Sequence, residues 1–378
     1  MVVVVAVARV FGMPRRHGAW IRYGDPLTDA QISFAIENYR VAILQPWETQ
    51  SLERLKSARP DMTVLCYKCL SSTRRYESGP IYTSGVSYEE AEEAGEHWFA
   101  HRLDGSRIEW NTYPDHWQMA VWDPEYQQRW CDNVADDLQD SLFDGVLADN
   151  DVYDDYYGIH PPIEGDREMA DLRAALDDLV PAAGARLNGI GKVLVPNIAE
   201  SRREPGRWQR HASFGGGFDE VWLAYGPDDH FDPDTALAQT EQAAGPGLSI
   251  LRIATDGTNE HPNFTYGLAA FWIFGGGHGG AFAATGHDDY SVTPFIPQLN
   301  WDLGEPTDEP RQRGNTWSRG FTHGWAAVNF NSARRRKVTY DVPPGLYDVD
   351  GAPAPDRVTL HPHHGALYVT QEGLEPAD

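Results

Sequence analysis

The chain has 378 residues, 41% of them apolar and 12% aromatic, with three cysteines and a formal net charge of −25. That length can bury a large core without covalent staples, so the odd set Cys66, Cys69 and Cys131 reads as buried free thiols. A charge so negative is repelled by nucleic acid and by anionic membranes, which leaves a neutral ligand as the better fit, and the 13 tryptophans suit one with flat faces to stack on.

Residues 1–16 form an N-terminal extension. Its MVVVVAVARVFG lacks a basic start and a clear cleavage site, so it does not decide between cytoplasm and export. No later stretch approaches the ~20 apolar residues of a membrane span. From His17 short apolar runs alternate with helix-like segments, the pattern of repeated βα units. GAWIRYG (18–24) is the first predicted strand, followed by a helix capped at Thr28 or Asp29. RVAILQPW (40–47) is the second and TVLCYKCLSS (63–72) the third. The CYKC within it has no second ligand pair, and residues three apart on a strand point to opposite faces, so zinc is not expected.

A long segment rich in Tyr and Trp spans 73–123 and contains a short helix over EEAEEAGEHWFA. Loops of that length inside a compact domain usually carry function. PEYQQRWCDNVADDLQDSL is an amphipathic helix that delivers the chain into FDGVLADND (143–151), the fourth strand. This run of strand formers ends abruptly in Asp149, Asn150 and Asp151, and buried carboxylates are costly unless they line a site. EMADLRAALDDLVPAAGARLNGIG is a helix, KVLVPNIAES (192–201) the fifth strand, HASFGGGFDEVWLAYG (211–226) holds the sixth, LSILRIATDG (248–257) is the seventh, and LAAFWIFGGGHGGAFAAT (268–285) holds a helix and the eighth. Eight such units predict a (β/α)8 TIM barrel over 17–319; the alternative, an open doubly wound sheet, lacks a GxGxxG after its first strand. From 320 to 378 the runs GWAAVNF, RKVTYDV, GLYDVDG, DRVTLHP and GALYVTQ predict a small antiparallel β domain, with HPHHG as an exposed turn rather than a metal site.

In a TIM barrel the C-terminal strand ends form the active face, which makes Asp149 the first catalytic candidate. Glycoside hydrolysis needs two carboxylates. The second is sought at another strand end: Glu220 is preferred over Asp219 and Glu200, because the GGG before it would let backbone approach a ligand and Trp222 and Tyr225 follow it. The preference depends on strand six ending before Glu220.

Together WIRYGDPLTDAQI, LQPWE, VLCYKCLSSTR, AVWDPEYQQRW, FDGVLADND and GGFDEVWLAYG, closed by GLYDVDG and VTLHPHHGALYV, resemble hypothetical glycosyl hydrolase family 15, from about residue 17 to the end. The resemblance implies a TIM barrel, a C-terminal β domain and a carbohydrate substrate. The DGxxxDN pattern is also similar to that of α-glycosidase barrels, which implies a catalytic role for Asp149 and retention of configuration. Supporting roles in substrate binding are expected of Trp47, Glu48, Lys68, Trp122, Asn150, Asp151, Asn197, Trp222, Tyr225 and Asp256, with the remaining Trp and Tyr around the long loop as further walls. The expectation is a glycosidase needing no metal and no organic cofactor. Its alternatives are a transglycosylase and a non-catalytic sugar-binding barrel. DNDVYDD (149–155) as a Ca²⁺ loop departs from the EF-hand spacing, and Ser or Cys catalysis lacks a GxSxG elbow.

Overall fold

The structure, a computed structural model, describes residues 16–24, 26–286, 290–333 and 335–374, so all but Arg16 of the N-terminal extension falls outside the described residues. Eight parallel strands close into a barrel: β1 (Gly18–Arg22), β2 (Tyr39–Leu44), β3 (Thr63–Cys69), β4 (Gly145–Asp151), β5 (Val193–Ile198), β6 (Gly216–Asp219), β7 (Leu248–Ala254) and β8 (Ala281–Thr285). Each pairs with its neighbour in sequence, and Gly18 opposite Phe282 closes the ring. The sequence expectation of a TIM barrel is met.

Local chemistry accounts for the helices between the strands. Thr28 caps α1 (Asp29–Asn38) in a capping box with Gln31. Asp123 caps α4 (Pro124–Gln139), which carries proline at its first position, where no N–H is lost. Between these lie α2 (Thr49–Ala58) and, within the long loop, α3 (Tyr88–Ala94). That loop folds back through a hairpin pairing Ser72–Arg74 with His116–Gln118. Further along come α5 (Met169–Asn188), α6 (Arg207–His211), α7 (Pro233–Gln239) and α8 (Pro262–Ile273). Among the described residues no helix is long and apolar enough to cross a membrane.

Period-two alternation decides which side chains fill the barrel. Ala19, Ile21, Val41, Ile43, Leu65, Tyr67, Leu147, Val195, Phe218, Ile250, Ala281 and Ala283 form the interior cluster. Continuing each strand by two residues carries the same inward parity to Tyr23, Asp149, Asn197, Glu220 and Arg252 at its C-terminal end. The three glycines before Glu220 serve packing rather than a ligand. A Cβ on Gly216 would sit 2.1 Å from the Leu248 carbonyl oxygen, and one on Gly217 would meet the Trp208 ring at 2.7 Å. Gly145 likewise admits the Val193 carbonyl, 2.2 Å from where its Cβ would stand.

The C-terminal part is a four-stranded antiparallel sheet in the order β9 (Arg311–Gln312), β10 (Thr316–Gly320), β11 (Gly324–Asn329) and β14 (His364–Val369), faced by the pair β12 (Val338–Asp341) and β13 (Arg357–Leu360). GLYDVDG, expected as a strand, is a turn in which Tyr347 bridges Pro353 and Val369; Gly345 and Gly351 take φ of 82° and 74°, which break strand geometry. The Thr316–Gly320 strand was hidden by its polar residues. Apolar on all sides, α8 lies between barrel and sheet and shares a core with Ala326, Val328, Leu367 and Val369.

Candidate active site

Asp149 and Glu220 meet at the barrel mouth through one side chain. The Asn197 Nδ2, at the end of β5, donates to Asp149 Oδ1 at 2.9 Å and to Glu220 Oε2 at 2.9 Å. Two oxygens bound to one nitrogen stand no farther apart than both bonds laid end to end, about 5.8 Å. Each carboxylate has a tyrosine on its other oxygen: the Tyr67 hydroxyl donates to Asp149 Oδ2 at 2.6 Å and the Tyr290 hydroxyl to Glu220 Oε1. The Asn150 backbone N–H donates to Asp149 Oδ1 at 2.8 Å. Behind Tyr67, Arg74 Nη2 donates to its hydroxyl at 3.1 Å. Behind Glu220, the buried Arg252 donates to its backbone carbonyl at 2.9 Å and to Thr285 Oγ1 at 2.8 Å, fixing the strand end rather than the carboxylate.

Strand six ends at Asp219, so Glu220 lies just beyond it with inward parity. Burial, and then the facing Asp149 charge, push the Glu220 carboxyl up to about 7, against the opposing pull of Arg252 and the Tyr290 and Asn197 hydrogen bonds. Asp219 is buried, accepts from the Val221 N–H and from Gln239, and is raised by burial. Glu200, in a left-handed turn at φ 49°, pairs with Arg203 at 2.6 Å.

A cavity of about 260 Å³ opens beside Glu220, Asn197 and Asn150, walled by Tyr113, Tyr156, Tyr157, Tyr225 and Phe231. Tyr113 comes from the long loop, and Tyr157 stacks on Trp110 at 3.8 Å between ring centres, so Trp110 buttresses the wall from behind. Between the two tyrosines that bind the carboxylates, Tyr23 packs on Tyr67 and Tyr290 at 4.7 and 4.8 Å; its buried hydroxyl has no hydrogen-bond partner among the described residues. The buried Gln45 Oε1, following β2, has none either.

Of the other sequence candidates, Asn150, Tyr225, Glu200 and Asp219 line this cavity with Asn197, whereas Asp149 is not on its wall and is reached through Asn197 and Asn150. Lys68 does not reach it: its parity is outward, and its Nζ binds Asp137 of α4 at 2.7 Å and the Tyr82 carbonyl. Asp151 should share the inward parity of Asp149, but the register shifts here and Asn150 takes φ 67°. The irregularity turns Asp151 out to Arg207 and His211, each at 2.5 Å, and His211 also binds Asp177. Trp222 is fully buried, with its Nε1 on the Gln239 carbonyl, because the chain turns away after Asp219. Trp47 is 45% exposed and Glu48 accepts from Ser51, neither on the cavity wall. Trp122 packs under the Arg167 guanidinium at 4.5 Å, and the exposed Asp256 closes a turn through Thr258. DNDVYDD does not converge on a point: Asp154 pairs with Arg203 and Asp155 caps Ile159 and His160. Sequence reasoning missed Tyr67, Tyr290, Tyr23 and Arg252; strand parity gives signal for all but Tyr290, which follows the last barrel strand.

The model of the family described as hypothetical glycosyl hydrolase family 15 matches residues 56–325. The chain belongs to that family. Among solved structures, the maltogenic α-amylase AmyB of Thermotoga neapolitana is similar with a TM-score of 0.52 at 10% identity, over 96% of this chain and 97% of that one. Ega3 of Aspergillus fumigatus, solved with galactosamine, gives 0.45 at 12% identity, over 77% and 99%. An α-amylase of Geobacillus thermoleovorans, solved with acarbose, gives 0.47 at 10%, over 94% and 98%. No curated protein matches the sequence. The family and the barrel together identify a glycoside hydrolase scaffold.

Proposed function

We propose that this chain is a retaining glycosidase in which Asp149 is the nucleophile and Glu220 the general acid/base. The reading rests on the shared Asn197 amide, which holds carboxylate oxygens from two strand ends within about 5.8 Å. Retaining enzymes separate the pair by about 5 to 5.5 Å and inverting enzymes by roughly 6.5 to 9.5 Å. In the first step Glu220, protonated near neutrality, gives its proton to the glycosidic oxygen as the Asp149 carboxylate bonds to the anomeric carbon and the leaving group departs. In the second, Glu220 as carboxylate takes a proton from the water that attacks the anomeric carbon, and Asp149 leaves. Tyr67, Asn197 and the Asn150 N–H aim the nucleophile. The Tyr290 hydroxyl stabilises Glu220 while it is ionised. The substrate is a neutral carbohydrate, and a cavity this small and aromatic suits a chain end.

The test is hydrolysis of a panel of nitrophenyl glycosides and polysaccharides by wild type, Asp149→Asn and Glu220→Gln. Loss of several orders of magnitude in both folded variants, with retention at the anomeric carbon, is the expected result. A Glu220→Gln variant with wild-type rates on unactivated substrates removes Glu220 from the mechanism. Sugar binding without cleavage of any substrate favours a binding barrel.

A further inference from the structure

Charge is distributed very unevenly along this acidic chain. Residues 311–340 contain seven of its 31 Lys and Arg and no Asp or Glu. Elsewhere cations are engaged: Lys56 with Asp144, Lys68 with Asp137, Arg107 with Glu92 and Glu96, Arg203 with Glu200, Arg357 with Asp341. By contrast, Arg313, Arg335, Arg336 and Lys337 make no ion pair among the described residues, and all four are exposed.

The backbone gathers these four at one end of the C-terminal sheet. Thr316 pairs with Asn329, the Phe330 N–H donates to the Asn315 carbonyl, and Asn329 Nδ2 donates to the Arg336 carbonyl at 2.9 Å. The turn carrying Arg313 and the segment carrying Arg335–337 therefore flank the same strand ends. Next to them a groove of about 550 Å³ runs between the two β layers, lined by Arg311, Arg313, Trp325 and Tyr340 among others. Two carboxylates also line the groove, but Asp308 holds Arg311 at 2.6 Å and Asp341 pairs with Arg357, which leaves Arg313 and Arg319, the latter bound to the Asp308 and Ile273 carbonyls, as its guanidinium groups without an ion pair among the described residues.

We propose that this basic end and its groove form a second carbohydrate site, which binds an acidic polysaccharide bearing carboxylates. Guanidinium groups match carboxylates in bidentate geometry, and the aromatic floor offers faces for sugar rings. The observations favour a uronate-type polymer over nucleic acid or membrane because the basic area is small on a strongly negative molecule. A duplex carries a charge every ~1.7 Å and presents its field to the whole surface, whereas sugar carboxylates are sparser and can be met locally. The site would tether the chain to a charged matrix while the barrel works on its own substrate. The choice of a carbohydrate partner leans on the glycosidase reading, but the binding itself does not.

The test is native affinity electrophoresis of the full-length chain in gels containing polygalacturonate, with dextran as the neutral control. It is run in the Asp149→Asn background so that cleavage does not contribute. Retardation by polygalacturonate alone is expected, weakening steeply with added salt. The combined variant Arg335→Ser, Arg336→Ser, Lys337→Ser should bind at least 10-fold more weakly. The control Arg54→Ser, Arg129→Ser, Arg186→Ser changes net charge equally and should leave retardation intact. No retardation, equal loss in the control variant, or tighter binding to a 20-base-pair duplex or phosphatidylserine vesicles than to polygalacturonate would overturn the proposal. Since no turnover is read, an inactive barrel would leave this outcome unchanged.

Discussion

Replacing Glu220 with Gln removes a carboxyl that burial and the Asp149 charge hold above its ordinary range. In the unfolded chain this carboxyl ionises near 4.5, and in the fold near 7. Between those values the folded state keeps a proton that the unfolded state has lost, so stability falls as pH rises. Stability from this group is complete below about 4.5 and lost once pH passes about 7. The span of 2.5 pH units, at ~1.36 kcal/mol each, corresponds to about 3 kcal/mol. With an unfolding entropy of ~2.1 cal/mol/K per residue, that is about 4 °C in Tm for a chain of this size. Gln keeps the acceptor for Asn197 and cannot ionise. Glu220→Gln should therefore gain about 4 °C on wild type between pH 4.5 and pH 8, read by differential scanning calorimetry at both values. The rate on unactivated glycosides should fall 10²- to 10⁴-fold, and wild-type activity should decline above pH 7 as the acid is lost. A difference in Tm that stays constant from pH 4.5 to pH 8 would refute the raised carboxyl and, with it, the assignment of Glu220 as the acid.

Asn197→Ala should lower kcat about 10²-fold and move the alkaline limb of the pH–rate profile upward, because the lost donor favours ionised Glu220. Tyr23→Phe removes a buried hydroxyl with no hydrogen-bond partner among the described residues, so stability should hold or rise while kcat/KM drops, which a thermal melt and a rate measurement on the same sample separate. Arg207→Met leaves the buried Asp151 with His211 alone and should cost about 3 kcal/mol by urea denaturation. Gly145→Ala places a methyl 2.2 Å from the Val193 backbone oxygen, with no flexible side chain to yield, and should cost about 1 to 3 kcal/mol, seen as a lowered Tm.

The barrel was legible because each unit repeats the same physical pattern, an apolar strand followed by a capped helix. Asp149 and Glu220 stood out because carboxylates at strand ends break that pattern. The residues that went astray mark where one-dimensional reasoning stops. Lys68 follows from strict alternation, since Tyr67 beside it points inward and it must point outward. Asp151 does not: only the left-handed Asn150 reverses it, and no residue type demands that conformation there. Trp222 looked like a stacking platform because it trails the candidate acid, yet the chain bends between them and buries it against Gln239. Tyr290 comes from beyond β8, and nothing in its local sequence connects it with Glu220, 70 residues earlier. Long-range pairing of this kind is invisible to periodicity.

The contrast between the two sides of the barrel wall bears on why Glu220 suits the proposed role of acid. Outside the wall, carboxylates meet basic side chains: Asp151 meets Arg207 and His211, and Asp137 meets Lys68. A cation in direct contact favours the charged form of a carboxyl. At the mouth every described hydrogen bond to the carboxylate oxygens of Asp149 and Glu220 comes from an uncharged group: Tyr67, Asn150, Asn197 or Tyr290. The arginines stand one step back, Arg74 behind the Tyr67 hydroxyl and Arg252 on the Glu220 backbone. Neutral donors orient two carboxylates without neutralising either, so their mutual repulsion and burial are left to act on protonation. With its carboxyl pushed up to about 7, Glu220 keeps a proton near neutrality, which the proposed acid role requires. A cation moved forward onto Glu220 would strengthen the contact and abolish the acid.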